Sequence, residues 1–376
     1  TTSAKTFRQS SHCCPIAARS SSDRGLEKSQ DALVLELDQI YGVGRYDFSR
    51  IDYTHHRKPV SVKCNDCGYE FTKTPESLRK GHACPRCALS ETKPEREVID
   101  YLQSIGDFEL LLKSRKLIPP LEIDIYIPER KVGIEINGLY YHSELKIRDS
   151  NYHHQKYKMC KSAGIRLIQV WEDEWRDRQP VVQSLLARAL GLPTNRIFAR
   201  KCQVTSVSRA EAAEFLNSYH IQGFSSGQTY CGLRYQDRLV SVAVFGTNKS
   251  LRADTSTHEL IRYASVGAVV GGMGKLVKYY YNIFQKPIVT YSDNTKFTGN
   301  SYQKIGFNAV KEVKPEYQTV WDSCTIRKSK SCTAKSKLAK IIPDMDWNKT
   351  EHEICLENKI YRVYDAGKIK WVYSGK

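Results

Sequence analysis

The sequence lacks the long apolar runs that membrane-spanning helices need. Crossing a bilayer takes about 20 consecutive, mostly apolar residues, and polar residues interrupt the apolar stretches of this 376-residue chain well before that length. This absence excludes a membrane-embedded protein. We expect an intracellular protein whose partner is in solution, in whatever compartment holds that partner.

Acidic residues are few relative to basic ones. The chain has 41 Asp and Glu against 58 Lys and Arg, which gives a formal net charge of +17. Such an excess favours a polyanion, because each phosphate contact releases condensed counterions. Nucleic acid is therefore the expected partner, and a merely solubilising surface charge is the alternative. Residues 1–30, rich in Ser and poor in acids, are expected to form a disordered tail.

The twelve cysteines are too scattered for a disulfide framework, but four of them form two CxxC pairs. KCNDCG and ACPRCA give the spacing C-x2-C-x16-C-x2-C, which is typical of a structural Zn²⁺ site. The expected zinc ligands are Cys64, Cys67, Cys84 and Cys87. Four thiolates leave the ion no open position, so we expect no catalysis there. The module either contacts DNA through Arg79 and Lys80 or only staples a small domain.

The segment after the zinc module combines a helix with a hairpin that carries carboxylates. In KPEREVIDYLQSIG, helical spacing is shown by Val98, Ile99 and Leu102. In LEIDIYIPERKVGIEING, isoleucines alternate with polar residues as in a strand, and a turn at PERK leads into a second strand. Asp124 and Glu135 are therefore expected to converge. Paired carboxylates suit Mg²⁺, which can polarise a phosphodiester and activate water.

A lysine is missing where nucleases of the PD-(D/E)xK type carry one. The second strand contains Glu135, Ile136 and Asn137 instead of an E-x-K triplet. Even so, LEIDIYIPERKVGIEINGLYYHSE, followed by NYHHQKYKMCKSAGIRLIQVWEDEW, resembles the bacteriophage homing endonucleases related to very-short-patch repair nucleases. The resemblance covers roughly residues 91–180.

The resemblance implies an active site that cleaves DNA with Mg²⁺ held by Asp124 and Glu135. It also implies Glu95 as an acid on the preceding helix and His142 in place of the usual lysine. His153 and Lys156 lie one helical turn apart and share a face, where they can act on the phosphate or leaving group. The expected catalytic residues are Glu95, Asp124, Glu135, Asn137, His142, His153 and Lys156. The acidic run Glu172 to Glu174 is expected to be a solvated strand end or a helix cap.

The C-terminal half begins again after Pro193. SRAEAAEFLNSYH predicts a helix with a capping box formed by Ser208 and Glu211. The later order of elements, with VVGGMGK before a helix and SYQKIGF after it, resembles a GNAT-like acetyltransferase fold over roughly residues 200–325. The resemblance allows an acyl-coenzyme A site around Gly272, Gly274 and Lys275, because amides at a helix N-terminus suit a pyrophosphate. Simple helix entry is the alternative.

The end of the chain, residues 326–376, divides into a basic stretch and a patterned one. Residues 326–340 are strongly basic and poor in apolar residues, which predicts a phosphate-binding or flexible arm. KIYRVYDAGKIKWVY alternates apolar and polar residues on either side of a turn, which predicts a hairpin.

We therefore expect an α/β protein with a PD-(D/E)xK-type nuclease core, an N-terminal zinc module with four cysteine ligands and an α+β GNAT-like C-terminal domain. The expected boundaries are 1–30 for the tail, 31–90 for the zinc module, 91–192 for the nuclease domain, 195–325 for the GNAT-like domain, and 326–376 for the basic arm and terminal hairpin.

The function that we expect is Mg²⁺-dependent hydrolysis of phosphodiester bonds at a long recognition site in double-stranded DNA, as in homing endonucleases. A repair endonuclease that nicks at mismatches is one alternative. An acyltransferase or modification enzyme, targeted to DNA and using the C-terminal domain, is the second. A DNA-binding protein with an inactive core is the third, and the missing lysine indicates it. The oligomeric state stays open.

Overall fold

The computed structural model describes residues 30–41, 43–65, 68–80, 84–85, 92–192, 195–247 and 256–375. The chain divides into two compact units, the first ending at Lys93 and the second beginning at Pro94. No helix in the described ranges is both long enough and apolar enough to cross a bilayer. The expected tail lies outside the described residues, apart from its last position. The domain boundaries given above stay predictions.

The first unit contains a three-stranded antiparallel sheet. Its elements are a helix over residues 30–41 (α1), then Tyr46–Asp47 (β1), Val60–Cys64 (β2), Glu70–Lys73 (β3) and Pro75–Arg79 (α2). Buried and exposed residues alternate along β2, because successive side chains of a strand point to opposite faces. Helix α2 begins where the Thr74 side chain accepts a hydrogen bond from the Ser77 amide.

The second unit opens with a four-stranded sheet and its helices. The elements are Lys93–Ile105 (α3), Leu111–Ile118 (β4), Leu121–Ile127 (β5), Val132–Asn137 (β6), Tyr152–Ser162 (α4), Arg166–Trp171 (β7) and Glu172–Ala189 (α5). The sheet order is β4-β5-β6-β7, and only β6 and β7 run parallel. The predicted helix and hairpin are confirmed, since the apolar face of α3 is buried and a short turn joins β5 to β6. All six residues of β6 are buried, which places Glu135 in the interior.

The next stretch of this unit supplies most of a second sheet. Its elements are Arg196–Phe198 (β8), Gln203–Ser206 (β9), Arg209–Tyr219 (α6), Thr229–Tyr235 (β10), Arg238–Thr247 (β11), His258–Ser265 (β12), Ala268–Val270 (β13), Gly272–Phe284 (α7), Ile288–Asp293 (β14), Asn300–Lys304 (α8) and Asn308–Val313 (β15). The capping box predicted for α6 is confirmed, because Ser208 and Glu211 exchange side-chain and backbone hydrogen bonds.

An insert, residues 314–367, separates β15 from the last strand. It contains Tyr317–Trp321 (β16), Ile326–Ser329 (β17), Lys335–Leu338 (α9), Glu351–Glu357 (α10) and Tyr361–Tyr364 (β18), after which Lys368–Tyr373 (β19) joins the second sheet. That sheet has the order β15-β19-β14-β12-β11-β10-β9. Within it, β12 and β14 run parallel and the other neighbours run antiparallel.

Two predictions for this region are wrong. Residues 326–340 do not form a flexible arm, because β17 pairs with β16 and Leu338 is fully buried. The two terminal strands do not form a hairpin, because β18 pairs with β16 whereas β19 pairs with β14 and β15. Gly367, with a φ of +77°, turns the chain from one sheet to the other, a conformation that favours glycine.

Candidate functional site

A polar cluster lies where α4 packs against the four-stranded sheet. It consists of Asp124, Glu135, His142, His153 and Lys156. The Lys156 ammonium donates to Glu135 Oε1, and the Ile136 amide donates to Asp124 Oδ2 over 2.8 Å. His142 Nδ1 lies 3.3 Å from His153 Nε2. The structure therefore brings these five expected catalytic residues together, although it does not test their catalytic role.

Burial sets the proton affinities of the two carboxylates. It raises the pKa of Asp124 to about 6, and it raises the pKa of Glu135 to about 8 with help from the neighbouring Asp124. Burial lowers the pKa of Lys156, but the attraction of the nearby acids outweighs this, so the pKa of Lys156 is raised. The ammonium therefore stays charged at neutral pH.

The two histidines of the polar cluster are uncharged at neutral pH. Burial lowers the pKa of His142 to about 4 and that of His153 to about 3, and the positive charge of Lys156 contributes to both shifts. Three buried polar atoms have no hydrogen-bond partner among the described residues, namely Glu135 Oε2, Asn137 Oδ1 and His153 Nδ1. The interior of the cluster thus holds polar atoms with unused hydrogen-bonding capacity.

The other two expected catalytic residues lie beside the cluster. Glu95 Oε2 is 3.7 Å from Lys113 Nζ, and its charge contributes to the raised pKa of Asp124. Asn137 Nδ2 donates to Gln169 Oε1 over 3.4 Å. Sequence reasoning missed Gln169, although it lies beside Glu135 on the neighbouring parallel strand. A polar residue inside the apolar run LIQVW was the signal that could have indicated it.

Metal binding at the two expected sites stays a prediction. Within the described ranges, no group of three or more His, Cys, Asp or Glu side chains is arranged to hold a metal ion. For Mg²⁺, the expected ligand Glu135 has the Lys156 ammonium as its partner. For Zn²⁺, Cys64 and Cys84 are fully buried in the core of the first unit. Cys67 and Cys87 lie outside the described residues.

The acidic run after β7 belongs to a buried ion-pair network. Arg327 of the insert donates to Asp173 Oδ2 over 3.1 Å and to Glu174 Oε1 over 3.0 Å. Lys296 Nζ lies 3.1 Å from Glu174 Oε2, and Glu174 also accepts the Trp171 amide at the start of α5. The predicted helix cap is confirmed, whereas the predicted solvation is wrong for Glu174, whose side chain is 10% exposed.

A second candidate site lies in the seven-stranded sheet. The parallel strands β12 and β14 pair only at His258 with Ile288 and at Glu259 with Val289. Beyond these pairs the two strands no longer form a ladder, and we call the space between them the strand opening. The Thr290 hydroxyl donates across it to the Leu260 carbonyl over 3.0 Å.

Tyr302 and Arg262 lie close to the strand opening. The Tyr302 hydroxyl is hydrogen-bonded to Thr290, and Tyr302 and Arg262 are near enough to influence each other's pKa. Burial raises the pKa of Tyr302, so its hydroxyl is protonated at neutral pH. These groups place a proton donor and a cation beside one end of β14.

The entry to α7 has features of both a ligand site and simple packing. Gly271 caps the helix with a φ of +78°, and no side chain caps the first turn. A Cβ atom on Gly272 would lie 2.8 Å from the Tyr263 hydroxyl, so close packing explains that glycine. Lys275 donates to the carbonyls of Ala199 and Cys202 over 3.0 and 2.6 Å, so its ammonium secures the chain before β9.

Comparisons of the sequence with known proteins identify similarity to a family of unknown function. Residues 26–88 match the model of the DUF723 family, described as a protein of unknown function. Two uncharacterized proteins of Acanthamoeba polyphaga mimivirus, L763 and R97, are 42% identical over 83 residues and 30% identical over 79 residues. These matches cover 22% and 21% of this chain. They span 31% and 27% of the two viral proteins, less than a third of either.

The solved structures that are similar to this chain are acetyltransferases. One is a GNAT family acetyltransferase from Elizabethkingia anophelis with acetyl-CoA bound, at 14% identity and a TM-score of 0.26, covering 46% of this chain and 97% of that one. An IAA acetyltransferase from Bacillus cereus and a Bacillus subtilis acetyltransferase in complex with CoA each cover 46% of this chain and 98% of their own. Their identities are 11% and 13%, and both TM-scores are 0.25.

These findings correct the expectation from the nuclease resemblance. The structural neighbours are GNAT acetyltransferases, and the comparisons give no support to a homing endonuclease or to a PD-(D/E)xK nuclease. The expected identity as a Mg²⁺-dependent DNA endonuclease is therefore wrong. The chain is a mixed α/β protein with GNAT-like acetyltransferases as structural neighbours over about half of its length.

Proposed function

We propose that this chain is an acyltransferase, directed to a nucleic-acid partner, that moves an acyl group from a coenzyme A thioester to an amine. The strand opening is the observation that carries this proposal. Strands β12 and β14 pair at two positions and then separate in the middle of a seven-stranded sheet.

An opening inside a sheet suits an extended ligand that carries amides. Where two neighbouring strands separate, backbone amides and carbonyls on the facing edges are released from the ladder, and such groups need partners. The Thr290 hydroxyl satisfies the Leu260 carbonyl. A ligand chain with its own amides can pair with the remaining groups, much as a peptide adds to the edge of a sheet. The arm of coenzyme A that carries the thiol is such a chain.

The first turn of α7 suits the phosphate end of the same ligand. This 13-residue helix begins at Gly272 without a side-chain cap, and the amides and dipole of a helix N-terminus favour anions. A Cβ atom on Gly274 would lie 3.1 Å from the Ile305 side chain. A larger residue at position 274 would therefore obstruct the space between α7 and the segment that follows α8.

Tyr302 is the residue to which we assign the chemistry. Its hydroxyl is protonated at neutral pH because burial raises its pKa. As the amine nitrogen bonds to the thioester carbonyl carbon, the carbon–sulfur bond breaks, and the departing thiolate takes the Tyr302 proton. The proton lost by the amine passes to water, and water returns a proton to Tyr302. The products are an amide and a free thiol.

The charge of the chain supports a polyanionic partner for this reaction. A formal net charge of +17 attracts phosphate backbones. Basic proteins bound to nucleic acid carry many lysine amines, which are suitable acyl acceptors once they lose a proton.

The test measures binding and turnover with the full chain. Calorimetric titration with coenzyme A and acetyl-CoA should give saturable binding. Release of free thiol should depend on an added acceptor, for which we choose a lysine-rich peptide bound to duplex DNA. Tyr302→Phe should reduce thiol release by about a hundredfold, the typical contribution of an acid or base catalyst, and should leave coenzyme A binding within about twofold. Gly274→Leu should weaken coenzyme A binding.

Tyr281→Phe is the matched control, because that hydroxyl donates to the Ser374 carbonyl and takes no part in the proposed step. It should behave like the parent chain. Absence of coenzyme A binding by the correctly folded parent would overturn the proposal. So would equal thiol release by the parent and by Tyr302→Phe.

A further inference from the structure

Two arginines hold the segment formed by residues 217–224, although they come from distant parts of the chain. Arg178 lies on α5 and its Nη1 donates to the Asn217 carbonyl. Arg262 lies on β12, where its Nε donates to the Gly223 carbonyl over 3.4 Å and its Nη1 to the Ile261 carbonyl over 2.8 Å. Both guanidinium groups are therefore positioned by neutral backbone acceptors.

Neither of these arginines has a carboxylate partner in the described part of the chain. Other arginines do, such as Arg327 with Asp173 and Glu174, and Arg234 with Glu211. Arg262 is only partly exposed, and burial lowers its pKa. A partly buried cation without a counter-ion is costly. The pair of guanidinium groups thus carries positive charge that no described carboxylate neutralises by a direct ion pair.

His220 adds a third donor beside them. Burial lowers its pKa to about 3, and the charges of Arg262 and Arg178 contribute, so the ring is neutral at physiological pH. The Gln222 amide donates to His220 Nδ1 over 3.1 Å. A neutral imidazole that accepts at one nitrogen carries its proton on the other, so Nε2 is a hydrogen-bond donor.

We infer that Arg178, His220 and Arg262 form a binding site for a phosphate group. A guanidinium has five N–H donors, of which Arg262 uses two and Arg178 one in the bonds described above. Charge-assisted bonds from guanidinium to phosphate are strong and often bidentate. Three donor side chains without an acid among them match the chemistry of a phosphate oxyanion.

The surroundings leave this site room and little competition. Arg178, Ile221 and Gln222 line a cavity of about 470 Å³. Acidic side chains also line it, but those on α5 have cationic partners: Asp177 pairs with Arg176 over 2.7 Å, and Arg327 holds Asp173 and Glu174. A phosphate at the arginine pair therefore meets acids that are already neutralised on that helix.

This inference goes beyond acyl transfer, because it requires only phosphate binding. The phosphate can belong to the nucleic-acid backbone or to coenzyme A, whose own phosphates share the chemistry. Arg262 lies near Tyr302 at the strand opening, so both sources are within reach of the site.

The experiment measures two binding constants for each variant of the full chain. Fluorescence anisotropy with a labelled DNA duplex reports one, without any acyl donor, and calorimetric titration with coenzyme A reports the other. Arg262→Gln and Arg178→Gln should each weaken at least one of the two affinities by about tenfold or more, the usual effect of removing a hydrogen bond to a charged group. Arg176→Gln is the matched control, since that exposed arginine is paired with Asp177.

Each arm has a distinct meaning. Loss of duplex affinity alone identifies nucleic acid as the phosphate source, and loss of coenzyme A affinity alone identifies the cofactor. Arg262→Lys keeps the charge but not the fork of donors, so it should bind between the parent and Arg262→Gln. If the glutamine variants lower the melting temperature yet retain both affinities within about twofold, the arginines only hold the segment and the inference is overturned. The duplex arm needs no acyl transfer, so its outcome is separate from that of the proposed function.

Discussion

Replacing Arg327 with methionine should destabilise the second unit more than any comparable change at an exposed ion pair. The Arg327 side chain is 10% exposed and donates to two carboxylates. Methionine keeps much of the apolar stem but removes the charge. Removing one partner of a buried ion pair costs about 3 to 5 kcal/mol, because the remaining charge stays buried without compensation. Here we expect about 3 kcal/mol, the lower end, because Lys296 remains beside Glu174.

The assay is thermal unfolding followed by tryptophan fluorescence, since the Arg327 guanidinium lies 4.8 Å from the centre of the Trp171 ring. A domain of about 150 to 250 residues loses about 2 to 4 °C per kcal/mol. The expected fall in melting temperature is therefore about 6 °C or more. Arg176→Met is the control, because its pair with Asp177 is 49% and 57% exposed and such surface pairs contribute at most about 1 kcal/mol. A fall of less than about 2 °C for Arg327→Met, or an equal fall for both variants, would refute the argument.

Three further predictions concern the buried groups. Lys156→Met should cost about 3 kcal/mol at pH 8, because Glu135 loses its ion pair. The loss should shrink at pH 5, where Glu135, whose pKa is raised to about 8, binds a proton; denaturant titrations at both pH values check this, and an equal loss would contradict it. The melting temperature should fall as pH drops from about 6.5 towards 4, because the lowered pKa values of His142 and His153 mean that the unfolded chain binds protons first. His153→Phe should flatten that slope, and an unchanged slope would count against it. Elemental analysis of the purified chain should find one zinc per molecule, lost in Cys64→Ser, and a zinc-free parent chain would remove the prediction of a four-cysteine zinc site.

Much of the local structure was predictable from short stretches of sequence. The isoleucines at 123, 125 and 127 share one face of a strand, and that face is buried in the structure. Ser208 and Glu211 form the predicted capping box because both partners lie within one turn of helix. In each case the interacting residues are near each other along the chain, so spacing alone contains the information.

Interactions between distant residues were not predictable in the same way. The missing lysine of the E-x-K triplet left Glu135 without an expected partner, but Lys156 reaches it from α4, 21 positions later. Residues 326–340 are basic enough to predict a solvated arm, yet Arg327 is neutralised by acids about 150 positions earlier in the chain. Composition gives the charge of such a segment, but not the location of its partners.

The final turn shows a third kind of limit. Alternating residues around Asp365 and Gly367 predict two strands correctly, and both strands are present. Their pairing is wrong because each strand finds a more extensive partner in a different sheet. The same alternation fits a hairpin and a crossing between sheets, so only the tertiary contacts distinguish the two.

The position of β19 has a consequence for synthesis of the chain on the ribosome. This strand lies between β14 and β15 in the second sheet, yet it is translated after both of them and after the entire insert. Until residues 368–373 leave the ribosome, β14 and β15 have facing edges with no strand between them, and exposed edges promote association with other chains. Slow translation of the insert should therefore favour aggregation of the nascent protein, whereas rapid translation or a chaperone that covers these edges should favour the native sheet.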